Sequence, residues 1–167
     1  MIQPPHFLSA QEAREAFIAF VLPGIANAMQ NDNVKRKHLH VVALNPTVPY
    51  SADADLPVLF EYSIGERSEW EWQYDKYARS KALISWRTGL SSREVLLTKP
   101  HLLCTGDVRL WGSAIVGGVV SAASGVQPFF DEMFAAMTSA AVVGEASYYA
   151  AKMADMGESA PDWLQES

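Results

Sequence analysis

Cysteine is almost absent: Cys104 is the only one in 167 residues. That excludes an intrachain disulfide, and a metal centre would have to draw its ligands from His, Asp or Glu. Basic residues are also scarce, 13 Lys and Arg against 19 Asp and Glu, for a formal net charge of -6. Nucleic-acid binding needs positive charge gathered on one face. The only basic run, Lys35-Arg36-Lys37, is short and reads as the solvated lead-in to a strand. The first residues, MIQPPHFLSAQEAREAF, lack a basic start followed by an apolar core, so no secretory signal is expected there. With the lone cysteine, this makes a reducing cytoplasm the expected location.

The short motifs of common enzymes are missing too. Ser124-Gly125 is not set in Gly-x-Ser-x-Gly, so it is no nucleophile elbow. Gly112, Gly117 and Gly118 form neither Gly-x-Gly-x-x-Gly nor a phosphate loop closing on Lys-Ser/Thr. His101 and Cys104 suggest a base and a nucleophile, but no third group is identifiable to orient them. No catalytic residue is assigned.

What is present is an ordinary globular composition, 49% apolar and 19% charged. It fits one domain over residues 1–156 and an acidic C-terminal tail over 157–167. Ser9-x-x-Glu12 has capping-box spacing and opens a helix running from Ala10 to about Met29, with Pro23-Gly24 as a weak point. HLHVVALNP (38–46) and LPVLFEYSI (56–64) read as two strands, neighbours in an antiparallel pair. Ser68-x-x-Glu71 repeats the capping spacing and predicts a second helix through about Trp86, ended by a left-handed Gly89. Residues 93–107 read as an irregular connection with a short strand at Glu94 to Leu97. Gly117-Gly118 predicts a hairpin within 108–125, and Pro128 the first turn of a helix reaching about Met156.

Three groups of side chains carry candidate chemistry. His38 and His40 share a strand face, as two ligands for a metal or a haem iron would. Trp70, Trp72, Tyr74 and Tyr77 offer stacking surface for a flat ligand, or simply core packing. The last helix, with Asp131, Glu132 and Glu145 as its only charges from Phe129 to Ala151, has no polar face. The sheet covers one side of it, and a second copy of the chain is the expected cover for the other, so a homo-oligomer is expected.

KALISWRTGLSS (81–92), WGSAIVGG (111–118) and SGVQPFFDE (124–132) together resemble the GlcG/HbpS-like family, also called the haem-degrading domain family. The matching features are Lys81-Ala82, Ser92, Gly112 and Gly118, and Ser124-Gly125 with Asp131-Glu132 seven residues after the serine. Where the family carries Gly-Gly-x-Pro, this chain has Trp111-Gly112-Ser113-Ala114. The resemblance implies an α+β fold of profilin-like α/β/α sandwich type, a central antiparallel sheet flanked by helices. It also implies a small-molecule or haem-binding domain with a pocket among Lys81, Arg87, Ser91, Ser92, Trp111, Gly112, Ser124 and Gly125. The alternatives are a noncatalytic oligomeric assembly subunit whose pocket is filled and, more weakly, a haem-degrading enzyme.

Overall fold

The computed structural model describes residues 7–155. Helix α1 (Ala10–Phe20) starts as its sequence requires: the Ser9 hydroxyl accepts the Glu12 amide, and the Glu12 carboxylate accepts the Ser9 amide. The expected single helix to Met29 is interrupted at Val21 and resumes as α2 (Leu22–Ala28). Pro23 is the cause, since it has no amide to donate and fits only the first turn of a new helix.

Four strands follow the expected pairing. Strands β1 (Leu39–Leu44) and β2 (Val58–Ile64) are antiparallel neighbours, and β3 (Ser113–Val116) and β4 (Val119–Ser124) form the hairpin. Gly117 and Gly118 turn it with φ of 54° and 78°, the left-handed pair that a two-residue hairpin loop demands. Residues 108–112 lie outside the strands. The two hairpins join along β1 and β4, giving an all-antiparallel sheet of order β2-β1-β4-β3.

Two expectations about the middle of the chain are corrected. Ser68 caps no α-helix; a single 3-10 turn covers Arg67–Glu69, and helix α3 spans Tyr74–Thr88 with no side-chain cap. Tertiary packing overrides the local signal, because Trp70 turns inward against Tyr74, with ring centroids 5.3 Å apart, and against His40 at 6.0 Å. Gly89 ends α3 with φ 71°, as expected. The strand expected at Glu94 to Leu97 is instead part of helix α4 (Ser92–Thr98), whose cap Ser91 accepts the Glu94 amide. Helix α5 opens at Pro128 and is described to Asp155; its expected end near Met156 and the acidic tail 157–167 lie outside the described residues.

Alternation along the central strands sorts the core into two layers. Leu39, Val41 and Ala43 of β1, with Val119 and Ala123 of β4, pack on Phe17 of α1 and on Phe134 and Val142 of α5. Val42 and Leu44, with Val120 and Ala122, pack on Ala78 and Ala82 of α3. The result is the expected α+β sandwich, an antiparallel sheet with helices on both faces. Among the described residues no helix is long and apolar enough to cross a membrane.

Candidate functional site

A buried ion pair spans the two helical layers at the end of β4. Lys81 leaves the inner face of α3, and its Nζ donates to Asp131 Oδ2 of α5 and to the Ala123 carbonyl, each at 2.9 Å. The side chains are only 1% and 3% exposed. Asp131 Oδ1 accepts the Val126 amide at 3.2 Å, so the carboxylate is held from both sides. Taking two charges out of water costs several kcal/mol per ion, which their attraction and hydrogen bonds must offset. Burial accordingly pushes the Asp131 carboxyl up to about 6, with Lys81 and the Val126 amide resisting. Burial likewise lowers the Lys81 amine, with Asp131 resisting.

The backbone around the pair is cut to fit it. Gly112 has φ 148°, and a Cβ there would stand 2.7 Å from Asp131 Cβ and 2.9 Å from Lys81 Nζ. Gly125, also at 148°, lies so close to β1 that a Cβ would fall 2.1 Å from the His38 carbonyl oxygen. The Gly112 segment is fixed by hydroxyls. Ser92 Oγ accepts the Gly112 and Ser113 amides at 3.0 Å each, Ser113 Oγ accepts the Ser92 amide at 3.0 Å, and Ser85 Oγ meets Ser113 Oγ at 2.7 Å.

In front of the pair lies an open cavity of about 380 Å³. Lys81, Asp131, Ser124, Gly125 and Val126 form its depth. Tyr74, Tyr77 and Trp72 from α3 and the turn before it supply aromatic wall, Leu110 and Pro128 apolar wall, and Arg36 a guanidinium. Tyr74 is 3% exposed, yet its hydroxyl has no hydrogen-bond partner. Buried polar groups are nearly always satisfied, so this hydroxyl stands out among the described residues, as does the Trp70 indole nitrogen. Burial also raises the Tyr74 pKa, keeping this hydroxyl a donor.

The residues singled out from sequence divide into two sets. Lys81, Ser124 and Gly125 line the cavity, and Gly112 packs directly behind the ion pair. Arg87 faces elsewhere, donating to Asp107 and the Leu102 carbonyl. Ser91 caps α4, Ser92 belongs to the hydroxyl network, and Trp111 lies half-buried with the Arg93 guanidinium 6.0 Å above its ring. Sequence reasoning passed over Arg36, Leu110 and Pro128 as cavity residues, and took Asp131 only as a helix-start charge or as a family landmark. The pairing itself, across 50 positions, had no local signal.

The histidines do not join this cavity. His40 is buried on β1 with both ring nitrogens engaged, Nδ1 with Ser63 Oγ at 2.8 Å and Nε2 with Glu61 Oε1 at 3.1 Å. Glu61 in turn takes two hydrogen bonds from Arg79, at 2.7 and 2.6 Å. His38 lies 3.5 Å from Glu69. Among the described residues no group of three or more His, Cys, Asp or Glu could hold a metal ion. Axial ligation of a haem iron does not fit His40, whose nitrogens would have to abandon a buried network. His101 and Cys104 are both exposed and form no hydrogen bond with each other; the Cys104 amide bonds Asp107.

No family model, curated protein or solved structure matches this chain. Its own geometry therefore carries the functional reading.

Proposed function

We propose that the chain is a small-molecule-binding domain whose ligand enters the cavity over the Lys81–Asp131 pair. The observation that carries this is the Lys81–Asp131 pair, two desolvated charges in the depth of a cavity walled by aromatic rings. A volume near 380 Å³ is at the small end of ordinary ligand pockets. Trp72 and Tyr77 suit a flat, unsaturated body, and Arg36, half exposed and 3.9 Å from Glu71, has guanidinium donors to offer a carboxylate. The resemblance to the GlcG/HbpS-like family, and with it a profilin-like arrangement, is in keeping with a binding role.

The test is a titration of the purified protein with 4-(hydroxymethyl)benzoate, followed by chemical shifts and tryptophan fluorescence. Saturable binding that Tyr77→Ala weakens about tenfold, through loss of its aromatic contact, supports the reading. Absence of saturable binding by this probe and by haemin overturns it.

A second reading concerns assembly. Phe20, 67% exposed, lines a shallow groove with Ala141, Gly144, Glu145 and Tyr148 of α5, and Met133 and Ala140 are exposed further toward the helix start, so Glu145 is the one charge at this largely apolar strip. A second copy of the chain is the proposed cover for this strip.

A further inference from the structure

We infer that Lys81 captures carbonyl compounds, forming a reversible imine with an aldehyde or ketone held in the cavity while Asp131 carries the proton. The inference rests on the cavity being a ligand site and deepens that reading.

Three features of the geometry support it. First, Lys81 lines the depth of the cavity, and its amine has two protein acceptors, Asp131 Oδ2 and the Ala123 carbonyl, for the three N–H groups an ammonium presents. Second, the nearest acceptor is a carboxylate at 2.9 Å that is itself buried. Moving one proton from Nζ to Asp131 converts a desolvated ion pair into a neutral amine and acid, which removes two buried charges in one step. Burial shifts both groups in the direction this transfer needs. Third, Tyr74, Tyr77 and Trp72 wall the cavity with aromatic rings, surface on which a flat carbonyl compound can lie beside the amine.

The step balances without any oxidant or reductant. The Nζ lone pair forms the C–N bond as the carbonyl π pair moves to oxygen. Asp131 gives its proton to that oxygen and recovers one from nitrogen, leaving a carbinolamine. Asp131 then protonates the carbinolamine hydroxyl, nitrogen expels it as water, and the iminium remains paired with the Asp131 carboxylate. Amine, carbonyl and acid have become iminium, carboxylate and water, so the floor of the cavity again holds one ion pair. The apolar and aromatic walls limit the water that would hydrolyse the imine. The favoured compound is an aldehyde or ketone conjugated to a flat body, with an acidic group placed to meet Arg36.

The probe is 4-carboxybenzaldehyde, incubated with the full-length protein and sodium cyanoborohydride, with intact-mass analysis and peptide mapping. The expected result is one adduct per chain, heavier by the probe less one oxygen atom, located on Lys81. It should form about tenfold or more faster than any adduct on exposed Lys76, because the cavity holds the carbonyl beside the amine. Lys81→Arg and Lys81→Met should both lose it. Mapping on the unaltered protein does not depend on either variant folding. Adducts scattered over exposed lysines with Lys81 unmodified would overturn the inference. If 4-(hydroxymethyl)benzoate, which cannot form an imine, still binds saturably in that case, the cavity reading stands and only the covalent step falls. If neither probe engages, both fall together.

Discussion

Lys81 and Asp131 are worth more to each other than either is to the fold. Breaking a buried pair strands one charge, whereas replacing both partners by apolar groups of similar size is often neutral. Lys81→Met or Asp131→Leu alone should each cost about 3–5 kcal/mol in denaturant unfolding, and the double variant should recover most of that. Additive losses would mean that the two side chains do not share one buried contact. The pH dependence follows from the same burial. Asp131 moves from an ordinary 3.8 up to about 6 in the folded chain, so between those values the folded state holds the extra proton. Its contribution is complete below pH 4 and is lost as pH climbs through 6, a change of about 2–3 kcal/mol. Asp131→Asn should therefore gain on the parent protein between pH 4 and 6.5, measured as the difference in denaturant midpoint. Comparing the two proteins matters because His40, lowered by burial against the pull of Glu61, contributes in the opposite sense in the same range. At this scale the sequence disclosed Lys81, Ser124 and Gly125 but not the pairing, because ion pairs between distant segments leave no spacing to read. It also hid Arg36, whose exposed neighbours Lys35 and Lys37 turn their amines back to the carbonyls of Asp32, Asn31 and Val34.

Adjacent serines at the start of α4 separate local from tertiary effects. Ser91 satisfies one helix-start amide in a half-buried setting, so Ser91→Ala should cost about 1 kcal/mol. Ser92 is fully buried and satisfies two amides, those of Gly112 and Ser113; Ser92→Ala should cost about 2–4 kcal/mol. Equal losses in chemical denaturation would refute the hydroxyl network as a brace for the Gly112 segment. Elements whose signals are local were legible in the sequence: the Ser9 cap, the Gly89 terminator, the Gly117-Gly118 turn and Pro128. Helix α4 carried the same kind of signal, Ser91 three residues before Glu94, which the β-prone Val95 obscured. Ser68-x-x-Glu71 had the spacing without the helix, because burying Trp70 against Tyr74 and His40 sets the chain direction there.

At the scale of the molecule, helix α5 carries a largely apolar strip on its outer face and the wall of the Lys81–Asp131 cavity at its start. The strip around Met133, Ala140 and Tyr148 is exposed, and the cavity lies at the helix start near Pro128 and Asp131. If a second copy covers the strip, sedimentation should show an oligomer that Ala140→Glu converts to monomer, since a carboxylate would be forced into an apolar contact. Probe binding should survive that change, because Ala140 does not line the cavity. A monomeric parent protein would remove the assembly reading and leave the binding reading intact. The order β2-β1-β4-β3 has a further consequence for how the protein opens. Each outer strand is tied to the sheet by one partner, while β1 and β4 are tied on both edges and meet over four residue pairs, His40 to Ala43 against Ser121 to Ser124. That seam is the last backbone to meet solvent in any fluctuation short of global unfolding. In deuterated water the amide protons of Val42 and Ala122, which face each other across that seam, should be the slowest to exchange, outlasting those of β2 and β3.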